Sequence, residues 1–232
     1  MTPVVYLIPS VLDEMATNTI PHYIIDAVKD CQVIFAENER TARRFLKSIC
    51  KDIVIDNYEW FTIHKAEEEQ KNNFTQKIKE HKNIAIISEA GCPGIADPGQ
   101  MLIELAQQMN VTVKPLVGPS SILLALMASG MNGQQFEFVG YLPIDNFERI
   151  KAIKEFELSS QKKSSSIIFI ETPYRNNQLI ETLLKTCKPT TKICIAAELT
   201  GPNEYVKTKT VANWKNEKTD FHKKPVIFLL QV

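Results

Sequence analysis

The densest candidate for chemistry in this 232-residue chain is the run Ile87-Ser88-Glu89-Ala90-Gly91-Cys92-Pro93-Gly94-Ile95-Ala96-Asp97-Pro98-Gly99. Three glycines and two prolines follow an apolar stretch, Ile84-Ala85-Ile86-Ile87, where a plain strand-to-helix connection needs only a few residues. Glycine permits positive φ and close backbone approach, and in open α/β sheets ligands sit beyond the carboxyl ends of strands. Two readings stand side by side: a loop shaped around a ligand, or an elaborate turn that its prolines stiffen. The segment has neither the G-x-G-x-x-G dinucleotide fingerprint nor the Gly-Lys-Ser/Thr ending of a phosphate loop. A ligand held by neutral main-chain donors and acceptors suits that absence.

Other chemistries find less support. The five cysteines, Cys31, Cys50, Cys92, Cys187 and Cys194, lack C-x-x-C spacing and lie mostly in apolar segments, which reads as buried thiols rather than a disulfide framework. His22, His64, His81 and His222 are dispersed, so no metal centre is expected. Twenty-seven basic residues balance twenty-seven acidic ones, and the whole molecule therefore exerts no strong pull on a polyanion. Arg40, Arg43, Arg44 and Lys47 form a local basic run of the kind that usually marks a solvated helix face. With no apolar run long enough for a bilayer and no signal pattern, the expectation is a cytoplasmic protein without a membrane partner.

The elements that must position the loop alternate. Strands are expected at 4–8, 33–36, 53–55, 84–87 and 111–113, with helices from about Pro21, at 41–49, 66–80 and 100–109, which predicts a mostly parallel sheet flanked by helices. The run 122–128 reads as a helix apolar on most sides, buried between layers. Beyond it come strands at 136–139, 166–170, 192–197, 204–208 and 225–232, helices at 147–156 and 176–186, and an exposed polar loop at 162–166. Strands outnumber helices there, so this half predicts a mixed-sheet α/β domain. The chain divides accordingly into 1–115 and 116–232.

Residue by residue, Ser88 to Gly99 resembles the Ser-Asp-Ala-Gly-Thr-Pro-Gly-Ile-Ser-Asp-Pro-Gly signature of the tetrapyrrole methylase superfamily, nearest its ribosomal RNA small-subunit 2′-O-methyltransferase branch. Further matches follow in order. Ala36-Glu37-Asn38-Glu39-Arg40 resembles Ala-Glu-Asp-Thr-Arg, Val117-Gly118-Pro119-Ser120 resembles Val-Gly-Pro-Ser, and Gly140-Tyr141-Leu142-Pro143 resembles Gly-Phe-Leu-Pro. Glu171-Thr172-Pro173-Tyr174-Arg175 resembles Glu-Ser-Pro-His-Arg, and Ala197-Glu198-Leu199-Thr200 resembles Arg-Glu-Leu-Thr.

The resemblance implies the two-domain tetrapyrrole methylase fold, S-adenosylmethionine in the cleft between the domains (S-adenosylhomocysteine as product, no metal), and a homodimer. It implies that Ser88, Glu89, Ala90, Gly91, Ser120, Ser121, Gly140, Tyr141, Leu142 and Pro143 border the cofactor, largely through main chain. Transfer from a sulfonium is an in-line displacement, and a ribose hydroxyl acceptor needs a nearby base or cation. Glu37, Arg40, Glu171 and Arg175 are the candidates, each with the alternative of a structural ion pair. The implied partner is ribosomal RNA or the small subunit, with a cytidine 2′-hydroxyl as acceptor. The alternatives are a tetrapyrrole or other small molecule, and a non-catalytic cofactor-binding, RNA-associated module. The chain departs from the family at Pro9–Glu14, where a glycine is lost and two acids appear, at Tyr174, which replaces histidine, and at Gly201-Pro202, which replaces lysine.

Overall fold

The computed structural model describes residues 2–63 and 67–232. His64 and the expected helix start at Ala66 lie outside the described residues. The chain forms two compact units, Met1–Ser120 and Ser121–Val232. The loop 116–120 belongs with the first because Leu116 N–H donates to Leu7 C=O and Val117 N–H to the Tyr23 hydroxyl.

The first unit contains β1 (Val4–Ile8), α1 (Tyr23–Lys29), β2 (Val33–Ala36), α2 (Glu39–Ile49), β3 (Glu59–Thr62), α3 (Glu67–Lys79), β4 (Ile84–Ile87), α4 (Gln100–Gln108) and β5 (Thr112–Pro115). Its sheet has the order β3-β2-β4-β1-β5 with every pairing parallel. Period-two alternation divides the strands between two cores. Val33 and Phe35 pack with Phe74 and Ile78 of α3 and with Leu102 of α4. Ile34 and Ala36 pack with Ile24 and Val28 of α1 and with Phe45 and Leu46 of α2. Burial on both faces explains why β2 and β4 are continuous apolar runs.

One expected strand is displaced. Residues 53–55 pair with no strand: Ile53 is a buried plug, Val54 faces solvent, and a short 3₁₀ turn covers Ile55–Asn57. The strand is β3, whose half-buried Glu-Trp-Phe-Thr sequence occupies the sheet edge.

The second unit contains α5 (Ser121–Ser129), β6 (Phe136–Tyr141), α6 (Asn146–Lys163), β7 (Ser166–Ile170), α7 (Asn176–Thr186), β8 (Lys192–Ala197), β9 (Tyr205–Thr210), α8 (Val211–Trp214) and β10 (Val226–Gln231). Its sheet has the order β6-β7-β10-β8-β9; β6 and β7 are parallel and the other pairings antiparallel. This is the mixed sheet expected, alongside the parallel sheet of the first unit. Two local expectations fail. Residues 162–166 are not a free loop: α6 runs to Lys163, Ser164 ends it in the left-handed region, and Ser165 and Ser166 are buried, with Ser160 Oγ donating to Ser165 C=O at 2.7 Å. Helix α5 buries Ala125 and Leu126 but leaves Leu123 and Met127 exposed. Among the described residues, no helix is long and apolar enough to cross a membrane, and no cluster of His, Cys, Asp or Glu could hold a metal.

Candidate functional site

In the first unit β2, β4 and β1 are adjacent and parallel, so their carboxyl ends present Glu37, Ser88 and Pro9 side by side. The segment after β4 is anchored mainly by its own main chain. Ser10 N–H donates to Gly91 C=O at 2.8 Å and Gly91 N–H returns to Ser10 C=O at 3.2 Å, a two-residue bridge between the loops. Ser10 Oγ donates to Ser88 C=O and Ser88 Oγ to Gly91 C=O, at 2.8 and 2.9 Å. Gly91 and Gly94 sit at φ of 76° and 81°, where side chains are strained. One Asp97 carboxylate oxygen accepts from both Gly94 N–H and Gly99 N–H and so folds the far half of the loop. Such a local carboxylate turn is the signal by which sequence reasoning could have singled out Asp97.

Glu37 reaches this loop. Its carboxylate accepts from Glu89 N–H at 2.8 Å, and its own N–H donates to Ile87 C=O. Glu89 in turn accepts from Asn38 Nδ2 and Thr41 Oγ1 at 3.4 and 3.3 Å, while Asn38 Oδ1 caps α2 by accepting from Thr41 N–H. Glu37 and Ser88–Gly91 are thus brought together. Arg40 is exposed, and no ion pair to it is found among the described residues. Arg43 is the structural cation instead, pairing with Glu39 at 2.8 Å and lying 4.8 Å from the Trp60 ring centre. Arg44 pairs with Glu14 of the divergent first loop at 2.8 Å. These two residues rim a cavity of about 350 Å³ that Leu12, Phe45, Glu89 and Ala90 also line.

The Cys92 thiol lies 3.5 Å from Pro119 C=O, and burial followed by the nearby Asp97 charge pushes its pKa up. It should therefore stay protonated and resist alkylation by iodoacetamide at pH 8, which peptide mass spectrometry would read. Rapid modification at Cys92 would show that this loop opens in solution.

In the second unit Gly140, at φ 71°, and Tyr141 end β6 and lead to Leu142 and Pro143. Leu142 is buried in that unit's core, so its contribution to a cofactor would come through main chain. After β7, Glu171 accepts at one oxygen from Arg175 Nη2 (2.5 Å), Arg175 Nε (3.0 Å) and Thr172 N–H (2.7 Å). The carboxylate side chain is fully buried, and its other oxygen has no hydrogen-bond partner among the described residues. Tyr174 is exposed and meets His222 edge-on. The Glu-Leu-Thr segment holds a feature that the sequence did not disclose: Thr200, a β-branched residue, sits at φ 68° with its N–H donating to Glu204. Backbone strain of this kind clusters at functional sites. Ser120 is half-buried, and Ser121 opens α5.

With this geometry in place, the comparisons are specific. The family model for tetrapyrrole (corrin/porphyrin) methylases matches residues 20–214. A protein of Buchnera aphidicola subsp. Schizaphis graminum called ribosomal RNA small subunit methyltransferase I is 27% identical over 234 residues, covering 99% of this chain and 78% of its own length. The crystal structure of the methyltransferase CobJ superposes with a TM-score of 0.64 at 15% identity, over 100% of this chain and 94% of that one. A uroporphyrin-III C-methyltransferase from Thermus thermophilus, complexed with S-adenosylhomocysteine, superposes with a TM-score of 0.55 at 14% identity, over 99% and 97%.

Proposed function

Because the chain belongs to the tetrapyrrole (corrin/porphyrin) methylase family, we propose that it transfers a methyl group from S-adenosylmethionine to small-subunit ribosomal RNA, at a cytidine 2′-hydroxyl. The observation that carries the substrate class is the similarity, across 99% of the chain, to a ribosomal RNA small subunit methyltransferase I. The loop chemistry fits the cofactor. Glycine-permitted turns at Gly91 and Gly94, neutral main-chain groups and the absence of a phosphate cradle suit an adenosine joined to an amino acid. Ser88, Glu89, Ala90, Gly91, Ser120, Ser121 and the turn 140–143 are the residues that would hold it. The bound cofactor supplies an already activated methyl group, so the protein's part is to align the acceptor and exclude water.

Glu37 positions the loop through Glu89 N–H, and exposed Arg40 is the group free to meet the acceptor's ribose or phosphate. Arg40→Ala should lower kcat on small ribosomal subunits by about a hundredfold while leaving the cofactor Kd unchanged. Equal losses in both would assign Arg40 a scaffold role. Glu171 and Arg175 act first as a structural pair.

Exposed Ile144 and Phe147, three residues apart, supply an apolar patch for the proposed homodimer, which light scattering would test. The proposed location is the cytoplasm. Incubation with labelled S-adenosylmethionine and unmethylated small subunits should label RNA. Label passing instead to a tetrapyrrole would move the acceptor to a small molecule, and cofactor binding without turnover would leave a non-catalytic module.

A further inference from the structure

We propose that the amino-end pole of the second unit's sheet is a docking surface for the phosphate backbone of structured RNA, at the opposite end of that sheet from the unit's own motif loops. This extends the ribosomal reading above to a second place on the molecule. Strands β6, β7 and β8 run the same way, and their carboxyl ends carry the motifs at 140–143, 171–175 and 197–200. Their amino ends, at Phe136, Ser166 and Lys192, lie about 17 Å away at roughly 3.3 Å per residue.

That pole concentrates lysine side chains. Lys162 and Lys163 end α6, and Lys188 and Lys192 flank the turn into β8; all four are exposed. The two segments are tied together. Buried Glu157 accepts from Lys188 N–H at 2.9 Å and from the Thr191 hydroxyl, and Lys188 Nζ donates to Gln161 at 3.1 Å. Asn132 Nδ2 donates to Ser164 C=O and Asn132 N–H to Gln231, which joins two further segments. The stretches 129–136, 158–166, 186–192 and 226–232 contain no aspartate or glutamate, and of the acids that border them Glu157 is buried and Glu217 pairs with Lys209. Lys185 and Lys209, which flank this pole, and Lys224 each have a carboxylate partner, whereas no ion pair to the four pole lysines is found among the described residues.

The neutral whole conceals this. Residues 121–232 hold 15 basic and 11 acidic side chains, against 12 and 16 in 1–120. Like charges gathered on one pole repel, and a polyanion relieves that repulsion while releasing its counterions.

Fluorescence anisotropy with a transcribed small-subunit RNA, read across a salt series without turnover, tests the surface. Changing Lys162, Lys163, Lys188 and Lys192 together to Glu should weaken binding at least about tenfold near 0.1 M salt and reduce the salt slope by about 2 to 4. The four-fold Lys→Gln variant should show a smaller loss, and both should bind S-adenosylhomocysteine like the parent, which verifies folding. Unchanged affinity and slope would overturn the proposal, as would a loss seen with polyglutamate but not with RNA. Because no methyl transfer is read, failure to label small subunits would remove the acceptor assignment without touching this result.

Discussion

Arg175→Ala is expected to lower the unfolding temperature by on the order of 10 °C, because it strands the Glu171 carboxylate in a fully buried position. Three donors now converge on one Glu171 oxygen, and two of them belong to Arg175. Removing one partner of a buried pair costs about 3–5 kcal/mol, far more than the intact pair contributes, since the remaining charge is desolvated without compensation. In chains of this size each kcal/mol moves the midpoint by about 2–4 °C. The reverse deletion, Glu171→Ala, should be milder, because Arg175 is partly exposed and can turn to water. Arg175→Lys should recover only part of the loss, as an ammonium cannot reproduce the two-nitrogen contact. Differential scanning calorimetry on the three variants decides the matter. A melting point for Arg175→Ala within about 2 °C of the parent, with methyl transfer abolished, would move this arginine from scaffold to chemistry.

Gly118→Ala should weaken cofactor binding by at least about tenfold, equivalent to about 1.4 kcal/mol. A Cβ at residue 118 would lie 2.1 Å from Pro9 Cβ and 2.4 Å from Pro9 Cγ. A proline ring has no flexible end to swing away, so one of the two loops must move. Overpacking of this kind costs about 1–3 kcal/mol. The displaced segments are those that carry Ser10, bridged to Gly91, and Pro119, whose carbonyl faces the Cys92 thiol. Calorimetric titration with S-adenosylhomocysteine would measure the loss. Adding Pro9→Gly should restore binding, and Gly133→Ala, with nothing within 4 Å of its new Cβ, serves as control. A normal Kd for Gly118→Ala would mean that the Pro9 loop does not brace the site.

Legibility in the sequence followed the range of the forces involved. Strands β2 and β4 were readable because burial on both faces leaves an unbroken apolar run, and the 87–99 loop because glycine and proline act on their own backbone. Strand β3 was not, since an edge strand with half-buried Glu59 and Thr62 carries no alternation, while apolar Ile53 to Ile55 mimicked a strand. The stretch 162–166 looked like a loop by polarity alone, yet Ser160 and Asn132 hydrogen bonds allow its serines to be buried. In the candidate site each acid and arginine had a structural ion pair as its alternative role, and the structure shows that pair between Glu171 and Arg175. For Glu37 and Arg40 it shows none among the described residues. Glu37 is drawn to Glu89 N–H, 52 residues away, a choice that only the neighbouring placement of β2 and β4 makes available.

That placement also bears on how the chain acquires its structure. β4 lies between β1 and β2, so these two earliest strands, though consecutive, have no hydrogen-bonding contact with each other. As synthesis proceeds, β1 has no sheet partner until Ile84–Ile87 emerges, about eighty residues after it was made. Non-local parallel pairing of this kind is slow to nucleate, because a long loop must close before any contact rewards it. Insertion of the four-residue strand β4 is therefore the expected slow step in assembling the first unit. The same residues whose carboxyl end delivers Ser88 to the 87–99 loop are thus expected to set when the unit can assemble.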